Sequence, residues 1–326
     1  MTTRTQPSQR PRVVILTPVY NEEAGLPQYV ERVTAVLLDR PDYDFHVLFI
    51  EDGSADRSWE VICRICEKDA RFEGLRLSRN YGSHIALSAG FAHARGDAIA
   101  ILACDLQDPP EVILQFLEKW RSGARIVWGH RQQREDTPWR VWASSVFFNL
   151  IRRFAMPRGS RFSTGSFLLV DKQVASCLRR FQEHNRTVFA LVAWTGFEQA
   201  VVEYERKQRV AGKSGWTFSK MIKSMYDTFV GFSYLPIKLM TWLGIIAFLI
   251  SIALSVYLLA CWWTGNPAPG WTSVMLALGF FFGIQFFLMG VTGEYLSRIY
   301  TESVRRPLYF VSDATQGTDS KGDDDD

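Results

Sequence analysis

Apolar residues along the first 130 positions fall in short runs separated by amphipathic stretches. RVVILTPV (12–19), FHVLFIED (45–52), GLRLS (74–78), AIAILACD (98–105) and RIVWG (125–129) are apolar runs of strand length. Between them, LPQYVERVTAVLLD (26–39), RSWEVICRICEKD (57–69), SHIALSAGFAHA (83–94) and PEVILQFLEKWRSG (110–123) place apolar residues at helical spacing. This alternation predicts a parallel sheet with helices on both faces. Ligands of such sheets bind beyond the carboxyl ends of the strands. Candidate chemistry therefore belongs just after each strand, where the chain reads PVYNE (18–22), EDGS (51–54), SRNYG (78–82) and CDLQD (104–108).

The pattern changes after residue 130. Residues 131–170 are irregular and basic. Within them WRVWASSVFFNLIRRF (139–154) mixes Trp, Phe and Arg at helical spacing, which suits either a membrane surface or core packing. WTFSKMIKSMYDTFVGFSYL (216–235) reads as an interfacial helix with Lys220 and Lys223 on its polar side. From Leu239 to Trp263 there are 25 residues without a charge, and from Trp271 to Gly293 another 23. A membrane-crossing helix needs roughly 20 predominantly apolar residues, and soluble core helices of that length normally keep a polar face. Two crossings are therefore expected, joined by TGNPAPG (264–270). That linker has no Lys or Arg, whereas Lys238 precedes the first run and Arg298, Arg305 and Arg306 follow the second. The positive-inside rule then puts the bulk of the chain and both termini in the cytoplasm. Trp242, Trp262, Trp263 and Trp271 lie near the expected interfaces, where indoles are favoured. The predicted organisation is a disordered start (1–11), an α/β domain (12–215), an interfacial helix (216–237), a two-helix membrane hairpin (238–297) and a cytoplasmic tail (298–326).

Composition adds exclusions. A formal net charge of +3 is too small to imply a nucleic-acid partner. MTTRTQPSQRPR has no apolar h-region, so no signal peptide is expected. The cysteines (Cys63, Cys66, Cys104, Cys177, Cys261) are odd in number, and a cytoplasmic bulk predicts reduced thiols. Cys63 and Cys66 form a CxxC inside a helical pattern with no second pair, which predicts an inward helix face rather than zinc. GTDSKGDDDD at the end reads as disordered.

ACDLQDPPE (103–111) holds three carboxylates. Asp108 precedes Pro109 and lies three residues before Glu111, the pattern of a helix start with an Asp cap. Asp105 ends an apolar run, where a charge is costly unless exposed or paired. In an extended segment positions i and i+2 face the same side, so Asp105 and Gln107 are expected to face the ligand edge together. A carboxylate and an amide oxygen suit a hard cation such as Mg²⁺, which takes one or two carboxylates with substrate phosphates and water.

PVYNE, EDGS and DLQDPPE, in this order at strand ends, resemble family 2 inverting glycosyltransferases of the GT-A fold. SRNYG, GHRQQR (129–134), GKSGW (212–216) after Arg209, and two C-terminal spans are similar to the polyprenyl-phosphate branch, which includes bactoprenol glucosyltransferases and dolichyl-phosphate mannose synthases. The resemblance covers roughly residues 12–300. It implies a nucleotide-sugar site of Pro18, Tyr20, Glu22, Glu51, Asp52, Gly53, Ser54, Arg79 and Asp105. It implies Mg²⁺ or Mn²⁺ on Asp105 and Gln107, and catalytic roles for these two with Arg131 and Ser166. It implies acceptor-phosphate contacts from Arg131, Arg134, Arg209, Lys213 and Ser214. The implied donor is UDP-glucose and the implied acceptor a polyprenyl phosphate in membrane lipid. A homo-oligomer, a flippase partner and a bacterial inner-membrane location are further implications.

The chain departs from that pattern. Ala103 stands where the metal motif has its first Asp, and Glu51 precedes Asp52 where two Asp are common. STGSFL (163–168) has Ser163, Ser166 and Leu168 in place of two acids and an Arg. In the acceptor loop Ser214 is followed by Gly215, with Lys213 displaced. A sugar hydroxyl acceptor needs a general base, whereas a phosphate monoester, with a second pKa near 6, is already mostly dianionic at pH 7. The missing acid at Ser166 thus favours a phosphate acceptor. A processive polysaccharide synthase would carry a Gln-x-x-Arg-Trp motif and more spans, neither of which is present. A non-catalytic scaffold is the alternative that the Ala and Ser departures raise. A dinucleotide oxidoreductase is disfavoured because no GxGxxG follows the first strand.

Overall fold

A computed structural model describes residues 10–131, 166–184, 186–205, 235–264 and 270–315. The chain divides into an α/β unit, Met1–Thr228 with Pro307–Asp326, and a helical unit, Phe229–Arg306.

The α/β unit begins as the pattern predicts: β1 (Arg12–Val19), α1 (Leu26–Val33) running into a π turn (Thr34–Leu38), β2 (Asp44–Glu51), α2 (Ser58–Lys68), β3 (Phe72–Leu77), α3 (Ser83–His93), β4 (Ala98–Ile101), α4 (Val112–Arg121) and β5 (Ile126–Arg131). Then come β6 (Leu168–Asp171), α5 (Lys172–Arg180), α6 (Val188–Trp194) and β7 (Gln199–Tyr204), none of which stands out in the sequence. The sheet closes with β8 (Val311–Ala314), drawn from beyond the helical unit.

The strand order is β7-β5-β6-β4-β1-β2-β3-β8. β4, β1, β2 and β3 run parallel, as do β5 and β7. β6 lies antiparallel between β4 and β5, and β8 is antiparallel on β3. The sheet is thus mixed. β1 is central and buried along most of its length, which is why its sequence is continuously apolar rather than alternating. Tyr29, Phe45, Phe49, Phe116, Phe167 and Ile15 are among the fully buried side chains that fill the core. β4 stops at Ile101, four residues short of the expected strand; Leu102 and Cys104 are buried but outside it.

The helical unit contains α7 (Leu235–Trp263) and α8 (Trp271–Val304). Leu239–Tyr257 and Ala277–Val304 are long and apolar enough to cross a membrane, with mean hydropathies of 2.3 and 1.4, and neither window is buried. Phe248 and Phe286 are 65% and 69% exposed. α8 continues past Gly293 through an Arg298–Glu294 pair (3.0 Å) and ends where Arg305 turns left-handed (φ 49°). The stretches 139–154 and 216–234 and the linker 265–269 lie outside the described residues.

Candidate functional site

Register brings the carboxyl ends of the first four strands to one edge: Val19 pairs with Glu51, Glu51 with Arg76, and Leu16 with Ile101. The loops after β1 and β2 are stitched reciprocally. The Asn21 N–H donates to Ser54 Oγ (3.0 Å), and the Ala55 N–H donates back to Asn21 Oδ1 (2.9 Å). The Glu23 N–H donates to Asp56 Oδ2 (3.1 Å), and the Arg57 N–H to Glu23 Oε2 (2.9 Å). The Glu22 N–H donates to Ser58 Oγ (3.0 Å). Asn21 sits at φ 54°, a left-handed conformation that Asn tolerates better than most residues. Asp56 Oδ1 also accepts from the Ser58 N–H and Oγ at the start of α2. Against burial, the largest single effect, these bonds hold the Asp56 carboxyl below its ordinary value. Tyr20 is left 48% exposed at the mouth of this cradle.

The loop after β3 hangs on Asp52. Asp52 is only 4% exposed; its Oδ1 accepts the Tyr81 N–H (2.7 Å) and its Oδ2 the Gly82 N–H (2.9 Å). Desolvation, with Glu51 adding to it, outweighs those bonds and raises the Asp52 carboxyl above its usual range. Gly53 (φ +65°) lies so close to this loop that a Cβ there would meet the Arg79 carbonyl carbon at 2.3 Å. Glu51 is fully buried, accepting from the Ser54 N–H and from Arg76 Nε (3.1 Å). Its carboxylate thus ties the EDGS turn to Arg76 of β3. Arg79 is exposed, with its guanidinium 4.3 Å over the Tyr81 ring. The Tyr81 hydroxyl, bonded to Ser78 Oγ (3.0 Å), to Arg79 and to the Phe310 main chain, is held below the usual phenol range.

The β4 loop differs from its sequence-based description. Asp105 and Gln107 are not strand neighbours, because the strand has already ended at Ile101. A turn unites them: the Gln107 N–H donates to Asp105 Oδ1 (3.2 Å), with Leu106 left-handed at φ 51°. The helix start expected at Asp108 falls later. α4 starts at Val112, and the Glu111 side chain preceding it makes no capping bond but pairs with Arg32. Asp108, 3% exposed, accepts from the Tyr204 hydroxyl at the end of β7 (2.6 Å). Tyr204 is seated edge-on against Phe167 (5.4 Å) and over Gly129, where a Cβ would come within 2.9 Å of its ring.

The donor chemistry here selects the kind of cation. Burial, with Glu22 and Asp105 adding to it, pushes the Cys104 thiol far above its ordinary value. Among the described residues no group of three or more His, Cys, Asp or Glu could hold a metal. The partly exposed Asp105 with Gln107 offers a carboxylate and an amide oxygen, donors that fit a hydrated hard cation completed by substrate phosphates.

Arg131 ends β5, opposite Tyr204 of β7, and Ser166 is exposed just before β6. Arg134, Arg209, Lys213 and Ser214 lie outside the described residues. Asn21, Glu23, Asp56, Ser58, Arg76 and Tyr204 shape the site without having been singled out in the sequence. For Asp56 a signal existed: ADRSWE opens a helical pattern with an acid two residues before a Ser.

A family model for glycosyl transferase family 2 matches residues 14–179. The glycosyltransferase YkcC of Bacillus subtilis is 36% identical over 91% of this chain and 92% of its own. The bactoprenol glucosyl transferase of Shigella phage SfV is 32% identical over 94% of this chain and 99% of its own. Among solved structures, the mannosyltransferase PcManGT from Pyrobaculum calidifontis, in complex with GDP-Man and Mn²⁺, superposes with a TM-score of 0.46 at 15% identity, covering 91% of this chain and 87% of that one.

Proposed function

The chain belongs to glycosyl transferase family 2, and from that premise we propose that it moves a hexose, glucose from UDP-glucose in the first instance, to a polyprenyl phosphate, with inversion, at the cytoplasmic face of a bacterial inner membrane. The observation that carries this reading is the coincidence, in one chain, of a stitched loop cradle at the carboxyl edge of β1–β4 and two unburied apolar helices. The name of the phage relative supports the lipid acceptor and the glucosyl group. An acceptor that cannot leave the bilayer requires an enzyme held there.

Pro18, Tyr20, Glu22, Gly53 and Ser54 line the nucleoside in this reading, and Asp52 acts through the Tyr81–Gly82 main chain. Arg79 offers an exposed guanidinium to the diphosphate. Asp105 and Gln107 hold Mg²⁺ or Mn²⁺, which when bound offsets charge on the departing nucleoside diphosphate. Arg131, with Arg134, Arg209, Lys213 and Ser214, binds the acceptor phosphate. One oxygen of that phosphate attacks the anomeric carbon; the bond from that carbon to the donor's diphosphate oxygen breaks, and its electron pair leaves with the nucleoside diphosphate. A dianionic phosphate has no proton to lose on attack, so Ser166 need only shape the pocket. A homo-oligomer and a flippase partner remain part of the same reading.

The helices enter the account through connectivity. The chain leaves the α/β unit, passes through α7 and α8, and rejoins the sheet as β8. Such a chain must cross a membrane an even number of times, and two spans meet that requirement. The test is Asp105→Asn. Turnover should fall by about a hundredfold or more, the usual effect of removing a group that stabilises transition-state charge, while the protein still inserts and folds. EDTA should reproduce the loss in the native chain. Native turnover in Asp105→Asn would refute the role given to that carboxylate.

A further inference from the structure

The segment that follows α8 docks beside the loops assigned to the donor. β8 pairs with β3 through Leu75↔Ala314, Arg76↔Asp313 and Leu77↔Val311, with an irregularity between Arg76 and Leu77. The Thr315 N–H donates to Gly74 O (2.9 Å), and the Gly74 N–H to Thr315 Oγ1 (2.8 Å). At the other end the Ser78 N–H donates to Phe310 O (2.9 Å), and Tyr309 packs its ring against His93 (6.4 Å).

Two routes lead from this segment to the nucleotide loops. The first is direct. Ser78 opens the SRNYG loop, whose Tyr81 and Gly82 amides are the ones that Asp52 grips. The second is electrostatic. Asp313 lies 3.8 Å from Arg76, Arg76 donates to the buried Glu51 (3.1 Å), and Glu51 accepts the Ser54 N–H of the EDGS turn. All four β8 residues are exposed, so main-chain bonds with little apolar burial hold the strand in place.

We propose that Tyr309–Thr315 is a positioning strap: its docking on β3 sets the two nucleotide loops and hence the affinity for the nucleotide of the donor. The inference rests on the donor site proposed above. Coupling of this kind is reciprocal, so a nucleotide that binds the strapped state better must also hold the strap down.

Hydrogen exchange on the full chain in lipid reads this without any substitution. With saturating UDP or GDP, whichever binds, exchange across 309–315 should slow. Deleting 309–326 should weaken the donor KM by about tenfold, within the 5- to 150-fold range usual for coupled sites, with kcat and the lipid-acceptor KM little changed. Deleting only 316–326 should change none of these. A peptide of residues 307–315 supplied in trans should restore the donor KM. If the shortened chain does not fold, Thr315→Val, which removes the bond to the Gly74 N–H, should shift the donor KM the same way, and Thr315→Ser should not. Bound nucleotide with unchanged exchange at 309–315, or an unchanged donor KM without the strap, overturns the proposal. If neither nucleotide binds the full chain, the donor-site reading itself fails, and the strap with it.

Discussion

At the scale of single residues, a carboxylate's role follows from what is within reach of it. Asp105 carries a local signal, a charge ending an apolar run with Gln107 two positions on, and the structure puts it in the loop just after β4. Asp108 was not readable, because its partner Tyr204 is 96 positions away in sequence and only folding makes them neighbours. Tyr204→Phe keeps the ring against Phe167 and removes only the hydroxyl. A hydrogen bond to a charged group contributes about 1.5–3 kcal/mol, and thermal unfolding in detergent should show a destabilisation of that order; an unchanged midpoint would contradict the role given to the bond. Asp52 makes a pH prediction. Its folded pKa is raised above the ordinary 3.8, so its contribution to stability is present below 3.8 and lost as pH rises through the raised value. Its grip on the loop runs the other way, since protonation weakens the acceptors for the Tyr81 and Gly82 N–H groups. On acidification these two amides should lose exchange protection, corrected for intrinsic rates, at a pH above 3.8, while the β1 and β2 amides stay protected. Simultaneous loss everywhere would show that Asp52 does not act locally.

At the scale of elements, legibility followed apolar burial. β1, β2 and the helices α1–α4 were read within a few residues because one or both faces pack on the core. AIAILACD was read too long: burial continues through Cys104, but the strand stops at Ile101, and hydrophobicity reports burial and not pairing. β6 is four residues that lead straight into α5, too short to show a period. β8 was invisible because VSDA has no buried side chain to set an apolar period. The loops were legible as motifs, but not the bonds that join them. Gly53→Ala tests that joining. A left-handed Ala costs roughly 1–2 kcal/mol, and the clash with the Arg79 main chain adds to it. Nucleotide affinity should fall by about tenfold or more while secondary structure persists. Unchanged affinity would mean that the β2 and β3 loops need not touch.

At the scale of the whole molecule, the charge-free runs carried the most information for the fewest residues. The windows on α7 and α8 are unburied and long and apolar enough to cross a bilayer. Membranes containing the chain should retain it through alkaline carbonate washing; release into the wash would leave the helices needing another partner. The central claim concerns what the enzyme glycosylates. The direct measurement gives purified protein in lipid undecaprenyl phosphate and a panel of labelled UDP- and GDP-sugars, with Mg²⁺ or Mn²⁺ and then with EDTA. The account predicts label entering the lipid phase from one donor, UDP-glucose first, and stopping when the cation is removed. Tight nucleotide-sugar binding with no label reaching lipid from any donor would contradict it and make Ala103 and Ser166 the marks of a scaffold or of another acceptor.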